Sequence, residues 1–224
     1  KRVTHFIFDE ERHAWSRYNL DVATRLRAPQ IRGAVGSLDA VAATLREAGT
    51  LAVIGQGTFG CDAAQRLASL ASREDLCFGS GDRRYTLQFP ELQGSGDGIF
   101  NRRGFAERGY RFGHLDELLA QIQRGEVKAV VVLHDAEFSG HRENEQLRHI
   151  VEAAAFSLVL EPIPSELSKI ASALLPVTTY LEESDFVINH EGELRRYQKA
   201  LEPPKGVKSV PAWVKELQTV PTPQ

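Results

Sequence analysis

Short apolar runs alternate with amphipathic helical segments along the middle of this 224-residue chain. Leu51-Ala52-Val53-Ile54 and the run from Ala129 to Leu133 are continuous apolar stretches, as buried parallel strands are. The segment from Leu38 to Leu45 repeats its apolar residues at helical spacing after a capping Ser37. Strands that alternate with helices of this length form a parallel sheet covered on both faces. The sequence therefore predicts an α/β fold, an open and mostly parallel Rossmann-like sheet with helices on both faces.

The same patterns divide the chain into three parts. Further strands are predicted at residues 76–78, 156–160 and 174–177, and further helices at 62–72, 115–124, 143–155 and 164–171. Residues 1–35 carry aromatic and charged residues in irregular order and form an amino-terminal segment. Residues 36–201 form the α/β domain. Because prolines surround Trp213 after Glu202, we expect residues 202–224 to be an extended, proline-rich tail that packs on a surface.

The composition excludes several classes of protein. With 42% hydrophobic residues, 25% charged residues and a net charge of -3, the chain is neither disordered nor a basic nucleic-acid binder. No apolar run approaches the roughly 18 residues of a membrane span, so direct membrane insertion is not expected. Two cysteines, Cys61 and Cys77, indicate a reducing compartment, here the cytoplasm. The chain begins at Lys1 and contains no methionine, so we expect it to be part of a longer protein.

A glycine motif follows the first predicted strand of the domain. Gly55-x-Gly57-x-x-Gly60 lies between a strand and a helix, the context of a dinucleotide-binding turn. That fingerprint also needs an acidic residue about 20 residues further on, at the end of the second strand, to bind ribose. Residues 77–80 of this chain contain no acid. Two interpretations stay open: a soluble NAD- or FAD-binding module that uses these glycines, or glycines that only permit close packing.

Candidate catalytic side chains are sparse. His134 and Asp135 follow a predicted strand, and Ser139 and His141 come soon after, but no nucleophile-elbow sequence accompanies them. His141 and His149 are not accompanied by the further ligands that a metal site requires. We therefore expect no catalytic residue and no metal site in this chain.

The loop between residues 79 and 113 is locally basic. Its arginines are interleaved with acids, so a solvated face or a protein contact is more plausible than a phosphate site. The arginines concerned are Arg83, Arg84, Arg102, Arg103, Arg108 and Arg111.

The last 50 residues carry a series of short motifs: Leu175-Pro176, Glu183, Asn189-x-Glu191-Gly192, Pro203-Pro204-x-Gly206 and Ala212-Trp213. Together these motifs resemble the closing section of the molybdopterin oxidoreductase superfamily. Upstream, Asn101-Arg102-Arg103-Gly104 and the segments 51–57, 115–125 and 129–135 are similar to the family's glycine-ended strand, asparagine-glycine loop, helix and central strand. The resemblance implies a domain of the formate dehydrogenase and DMSO reductase type. Within the superfamily, the chain is most similar to the G subunit of bacterial NADH:quinone oxidoreductase, complex I.

The departures from that pattern qualify the implied function. Ser184-Asp185 stands where the family turn has Gly-Thr, and Glu193 stands where Arg follows the Glu-Gly pair. Neither cysteine matches a molybdenum ligand or the amino-terminal cluster motif. The resemblance therefore implies a noncatalytic structural domain of an electron-transfer subunit that has lost its cofactor. A retained pterin or nucleotide remnant at the glycine turn stays open as a third possibility.

The resemblance also implies a setting for the domain. Its partners would be other peripheral-arm subunits of a respiratory oxidoreductase, on the cytoplasmic side of the inner membrane. This chain would hold no cofactor, and any iron-sulfur clusters would lie in a part of the protein that precedes Lys1.

Overall fold

The computed structural model describes residues 2–9, 14–21, 25–32, 37–56, 59–71, 77–80, 101–108, 110, 115–135, 141–189 and 191–220. The strands are β1 Arg2–Asp9, β2 Ala14–Asp21, β3 Gln30–Ile31, β4 Leu51–Gln56, β5 Cys77–Ser80, β6 Ala129–Leu133, β7 Phe156–Glu161, β8 Ala173–Pro176, β9 Asp185–Ile188 and β10 Leu194–Tyr197. The helices are α1 Leu38–Glu47, α2 Cys61–Ala68, α3 Arg102–Glu107, α4 Leu115–Gln123, α5 His141–Ala153, α6 Glu166–Ile170 and α7 Val210–Thr219.

A six-stranded sheet in the order β3-β8-β7-β6-β4-β5 forms the centre of the domain. All its neighbouring strands are parallel except β3, which runs antiparallel to β8. Every residue of β4, β6 and β7 is buried, because helices cover both faces of the sheet. The predicted α/β fold is confirmed.

Successive residues of the central strands point to opposite faces and belong to two separate cores. Val131 of β6 packs with α1, α2 and α7 in one core, whereas Val130 packs with α4, α5 and α6 in the other. Ser37 begins α1 by accepting a hydrogen bond from the amide of Ala40 at 3.2 Å, as its sequence position predicts. Gly49 follows the end of α1 with a φ of 72°, a conformation that favours glycine.

The carboxyl-terminal tail differs from the prediction of an extended segment. Residues 210–219 form helix α7, which Ser209 caps by accepting from the amide of Ala212. Pro211 lies in the first turn, where a helix needs no amide donor, so this proline starts the helix. Trp213 is buried and donates its indole N–H to the carbonyl of Pro176 at 2.7 Å. The prolines suggested an extended segment, but Pro211 lies in the first turn of a helix.

Two hairpins were not predicted. Strands β1 and β2 pair antiparallel within the amino-terminal segment, with Arg2 opposite Asp21. Strands β9 and β10 form a second antiparallel pair. The Asn189-x-Glu191-Gly192 motif lies between β9 and β10, and Gly192 adopts a φ of 87° there. Residues 81–100 of the basic loop, with Arg83 and Arg84, lie outside the described residues, as does Arg111.

Candidate functional site at the carboxyl edge of the sheet

Polar side chains collect where the parallel strands end. Open α/β sheets bind their ligands at this carboxyl edge. Gln56 ends β4, His134 and Asp135 follow β6, and Glu161 ends β7. The backbone amide of Asp135 donates to the side-chain oxygen of Gln56, which joins the first two of these strand ends.

His134 and Glu161 form a buried pair at this edge. The His134 Nδ1 lies 3.0 Å from a carboxylate oxygen of Glu161, and its Nε2 lies 3.0 Å from the amide oxygen of Asn144. The Glu161 carboxylate also accepts hydrogen bonds from the hydroxyls of Ser165 and Ser168. Burial lowers the pKa of His134, but the hydrogen bonds with Glu161 and Asn144 outweigh that effect and raise it overall. The polar side-chain atoms of His134 and Glu161 therefore have their hydrogen-bond partners within the chain.

A second buried pair joins the amino-terminal segment to the same edge. Arg25 binds both carboxylate oxygens of Glu182, at 2.6 and 2.8 Å, and the two side chains are only 1% and 3% exposed. The guanidinium also donates to the carbonyls of Pro162, after β7, and Val177, after β8. The amide of Thr179 donates to Glu182 at 3.0 Å. The chain therefore covers this part of the carboxyl edge of the sheet with its own side chains.

The glycine motif lies at the strand–helix junction that the sequence predicted, with Gly55 near the end of β4 and Gly60 directly before α2. A Cβ on Gly55 would overlap the ring of Phe105 and lie 3.0 Å from the ring of Tyr110. A Cβ on Gly60 would overlap the carboxylate of Asp185. Gly57 lies outside the described residues. Each described glycine of the motif therefore allows a close contact with another part of the same chain.

Asp185 occupies the start of helix α2. Gly60 has no side chain to cap that helix, and the Asp185 carboxylate instead accepts from the amides of Asp62 at 3.1 Å and Ala63 at 3.2 Å. These amides, at a helix start after a glycine turn, are the donors that bind phosphate in a dinucleotide site. Burial raises the pKa of Asp185, whereas the amide hydrogen bonds lower it, and burial has the larger effect. The resemblance noted above places Asp185 at one of the two positions where the family turn has Gly-Thr.

Asn101 fixes the two segments that bring Asp185 to α2. Its side-chain amide donates to the carbonyl of Phe59 at 2.7 Å, and its oxygen accepts from the amide of Ile188 at 2.9 Å. The buried Cys61 thiol lies 3.5 Å from the same oxygen. Burial raises the pKa of Cys61, so this thiol is a packing group and a poor nucleophile.

A polar cavity of about 360 Å³ lies beside Asp185. Its lining includes Asp62, Glu183, Asp185 and Glu202, with Lys199 as a basic member. The lysine is already paired with Glu202 at 2.7 Å. The cavity is therefore acidic.

Glu183, in this cavity, accepts from the hydroxyl of Thr178 at 2.5 Å and from the hydroxyl of Tyr197 at 3.4 Å. Burial raises the pKa of Glu183 to about 7, against the effect of the Thr178 hydrogen bond. The pKa of Tyr197 is raised too, by burial and by the nearby carboxylates.

The other predicted candidates do not converge on this site. Ser139 and the side chain of His141 lie outside the described residues, and His149 is exposed on α5 beside Arg148. The described part of the chain holds no group of three His, Cys, Asp or Glu residues placed to bind a metal ion. In the same part, no helix is long and apolar enough to cross a membrane. Sequence reasoning missed Asp185 as a helix cap, although the departure from Gly-Thr at Ser184-Asp185 was its signal.

Comparison with known proteins identifies the family. A profile described as molybdopterin oxidoreductase matches residues 26–219, most of the chain. The chain belongs to the molybdopterin oxidoreductase family. It is also 32% identical over 101 residues to the G subunit of NADH-quinone oxidoreductase from Streptomyces coelicolor. That match covers 45% of this chain and 12% of the relative, so the chain corresponds to a small part of the relative's length.

The molybdopterin oxidoreductase family is named after its pterin group. The contacts at the glycine turn indicate whether that group fits there. If a dinucleotide form of that group bound at this turn, its phosphates would use the amides at the start of α2. Asp185 already uses the amides of Asp62 and Ala63, and its carboxylate lies where the Gly60 turn would meet the ligand. A phosphate does not fit at this turn while Asp185 holds that position.

Proposed function

We propose that this chain is a noncatalytic structural domain of an electron-transfer subunit similar to the G subunit of NADH:quinone oxidoreductase, and that it has lost the cofactor of its family. The Asp185 carboxylate at the start of α2 is the observation that carries this proposal. A side chain of the protein supplies there the negative charge that a ligand phosphate would supply.

Electrostatics support the loss of the ligand. At an effective dielectric constant of about 20, two unit charges about 4 Å apart repel each other by about 4 kcal/mol. A phosphate at this turn would meet that repulsion from Asp185, and Asp62 also lines the adjoining cavity. A free energy of this size lowers affinity by roughly a thousandfold.

The relative supports the proposed setting. Because that protein is part of an NADH-quinone oxidoreductase, the partners of this domain are other peripheral-arm subunits of a respiratory oxidoreductase. The domain works on the cytoplasmic side of the inner membrane as part of that complex. Any iron-sulfur clusters of the subunit would lie in a part of the protein other than this domain.

A ligand screen separates this proposal from the dinucleotide-binding module. The purified chain is analysed for metals, and its thermal midpoint is measured with NAD, NADP, FAD, GDP and molybdopterin guanine dinucleotide. A ligand at about 100 times its dissociation constant stabilises a protein by about 2.7 kcal/mol, an easily measured shift. We expect neither bound metal nor a shift. A shift with NAD or FAD that Gly57→Val abolishes would replace the proposal with a module that uses Gly55, Gly57 and Gly60.

A second measurement tests the partner assignment. The chain is co-expressed with the peripheral-arm subunits of its own source, and the purified complex is examined for the chain. We expect stable association. Failure to associate under conditions in which the other subunits assemble would contradict the scaffold role.

A further inference from the structure

The β9–β10 hairpin has two edges that differ in their hydrogen bonding. The amide of Asn189 donates to the carbonyl of Glu193 at 3.0 Å, so these residues form a hydrogen-bonded pair. Hydrogen-bonded and non-hydrogen-bonded pairs alternate along an antiparallel ladder. Leu194, opposite Ile188, is therefore in a non-hydrogen-bonded pair, and so is Arg196. The backbone amides and carbonyls of Leu194 and Arg196 point away from β9.

The outer edge of β9 is satisfied by side chains. The amide of Ile188 donates to Asn101 at 2.9 Å, and the amide of Phe186 donates to the carboxylate of Asp185 at 2.7 Å. Across the described residues, no such acceptor meets the outward amides of Leu194 and Arg196 on β10. An edge strand with free amides and carbonyls is a template for pairing with another chain.

The side chains on this edge combine apolar surface with positive charge. Leu194 is 49% exposed, more than any other large hydrophobic side chain in the described part of the chain. The guanidinium groups of Arg108 and Arg196 lie 5.3 and 5.8 Å from the centre of the Phe186 ring. Neither arginine is paired with a carboxylate among the described residues, and the Nε of Arg108 is buried without an acceptor. We call Arg108, Phe186, Leu194 and Arg196 the hairpin patch.

The guanidinium groups of Arg108 and Arg196 both lie against the Phe186 ring, which does not neutralise their positive charges as a carboxylate would. A cation–π contact at an exposed site is weaker than the ion pair that a carboxylate partner can provide at a desolvated interface. A partner with acidic side chains would complement the arginines and cover Leu194 at the same time.

We propose that β10 binds an extended acidic segment of a partner polypeptide, which adds to the hairpin as a third strand. Side chains two residues apart in a strand lie on one face. The added strand would therefore place an apolar residue beside Leu194 and an acidic residue beside Arg196. Main-chain hydrogen bonds to Leu194 and Arg196 provide affinity, and the paired charges provide specificity. This inference rests on the proposed function only where it identifies the partner as a neighbouring subunit. The binding itself depends on this chain alone.

The probe is a synthetic peptide, Thr-Val-Thr-Glu-Thr-Glu-Thr, that carries an uncharged fluorophore. Its binding to the full chain is measured by fluorescence anisotropy. We expect saturable binding that is lost when Lys replaces both Glu residues. Two further peptides, N-methylated on alternate sets of residues, should differ strongly, because an added strand uses only one set of amides.

Arg196→Glu should weaken binding at least tenfold, whereas Lys215→Glu, an exposed charge reversal on α7, should change it by less than about twofold. Arg196→Gln should lie between the wild type and Arg196→Glu. Because Arg196 is exposed, we expect all three variants to keep the wild-type thermal midpoint.

Several outcomes would overturn the proposal. These are no binding of the acidic peptide, equal binding of its lysine version, equal effects of Arg196→Glu and Lys215→Glu, or equal binding of both methylated peptides. If the arginines only protect the edge from pairing, no peptide will bind. None of these results affects the nucleotide screen, and a positive nucleotide screen would not change the peptide result, so the two proposals fail separately.

Discussion

Loss of the Arg25 guanidinium should strongly destabilise the domain, because this group and the Glu182 carboxylate that it binds are both buried. Arg25→Met keeps most of the side-chain volume but leaves the Glu182 carboxylate buried without its cation. It also leaves the carbonyls of Pro162 and Val177 without this donor. Removal of one partner of a buried ion pair costs about 3–5 kcal/mol. For a chain of this length, that loss lowers the thermal midpoint by roughly 10 °C.

Urea unfolding, followed by circular dichroism, measures the free energy of unfolding of the wild type, Arg25→Met, Glu182→Leu and the double variant. Replacement of a whole buried pair by apolar residues is often tolerated. The double variant should therefore be less destabilised than the sum of the single variants, by about 2 kcal/mol or more. A cost below about 1 kcal/mol for Arg25→Met, or strictly additive costs, would refute the assignment of this pair as the buried link between residues 25–32 and the sheet.

Three other predictions concern the pocket, the last helix and the thiol. Because folding raises the pKa of Glu183 from 4.5 to about 7, the folded state keeps a proton that the unfolded state loses, and stability should fall as the pH rises through this interval, by at most about 3 kcal/mol. Thermal unfolding at several pH values should show a steeper fall in the wild type than in Glu183→Gln, in which the raised pKa of Asp185 still contributes; the same slope in both would refute it. Trp213→Ala should cost about 3–5 kcal/mol and Trp213→Phe less, measured by urea unfolding, because the indole is buried and bonded to Pro176; a loss below about 1 kcal/mol for Trp213→Ala would contradict this packing. In a Cys77→Ser background, the Cys61 thiol should react with a disulfide reagent only as fast as the protein opens, and rapid reaction of the native protein would argue against its burial.

The main sheet was predictable because its signal is local. β6 is a continuous apolar run, β4 departs from one only at its final Gln56 and β7 only at Ser157 and Glu161, and every residue of the three strands is buried. The β9–β10 hairpin was missed because Leu194-Arg195-Arg196-Tyr197 is a largely exposed edge strand, which needs no apolar alternation. Helix α7 was missed because a proline in the first turn of a helix has the same sequence signature as one in an extended tail.

The candidate site was less predictable because its contacts join distant parts of the chain. The glycine turn was found from its spacing, but the residue that caps the following helix lies 123 residues away from Asp62. His134 was placed correctly at a strand end, whereas its partner Glu161 follows 27 residues later, at the end of the next strand. Arg25 and Glu182 are 157 residues apart. Contacts of this kind follow from the order of strands in the sheet, which residue spacing alone does not define.

The proposed loss of the cofactor is tested most directly by a search for bound ligand in this protein after it has been purified from its natural source and separated, without denaturation, from its partner subunits. The preparation is denatured, the released small molecules are examined for pterin fluorescence and for nucleotides by mass spectrometry, and molybdenum and tungsten are quantified per chain. Because Asp185 occupies the amides at the start of α2, we predict no pterin, dinucleotide or either metal above the level found with an unrelated protein prepared in parallel. A pterin dinucleotide or NAD recovered in proportion to the chain, and lost in Gly57→Val, would contradict the loss of the cofactor.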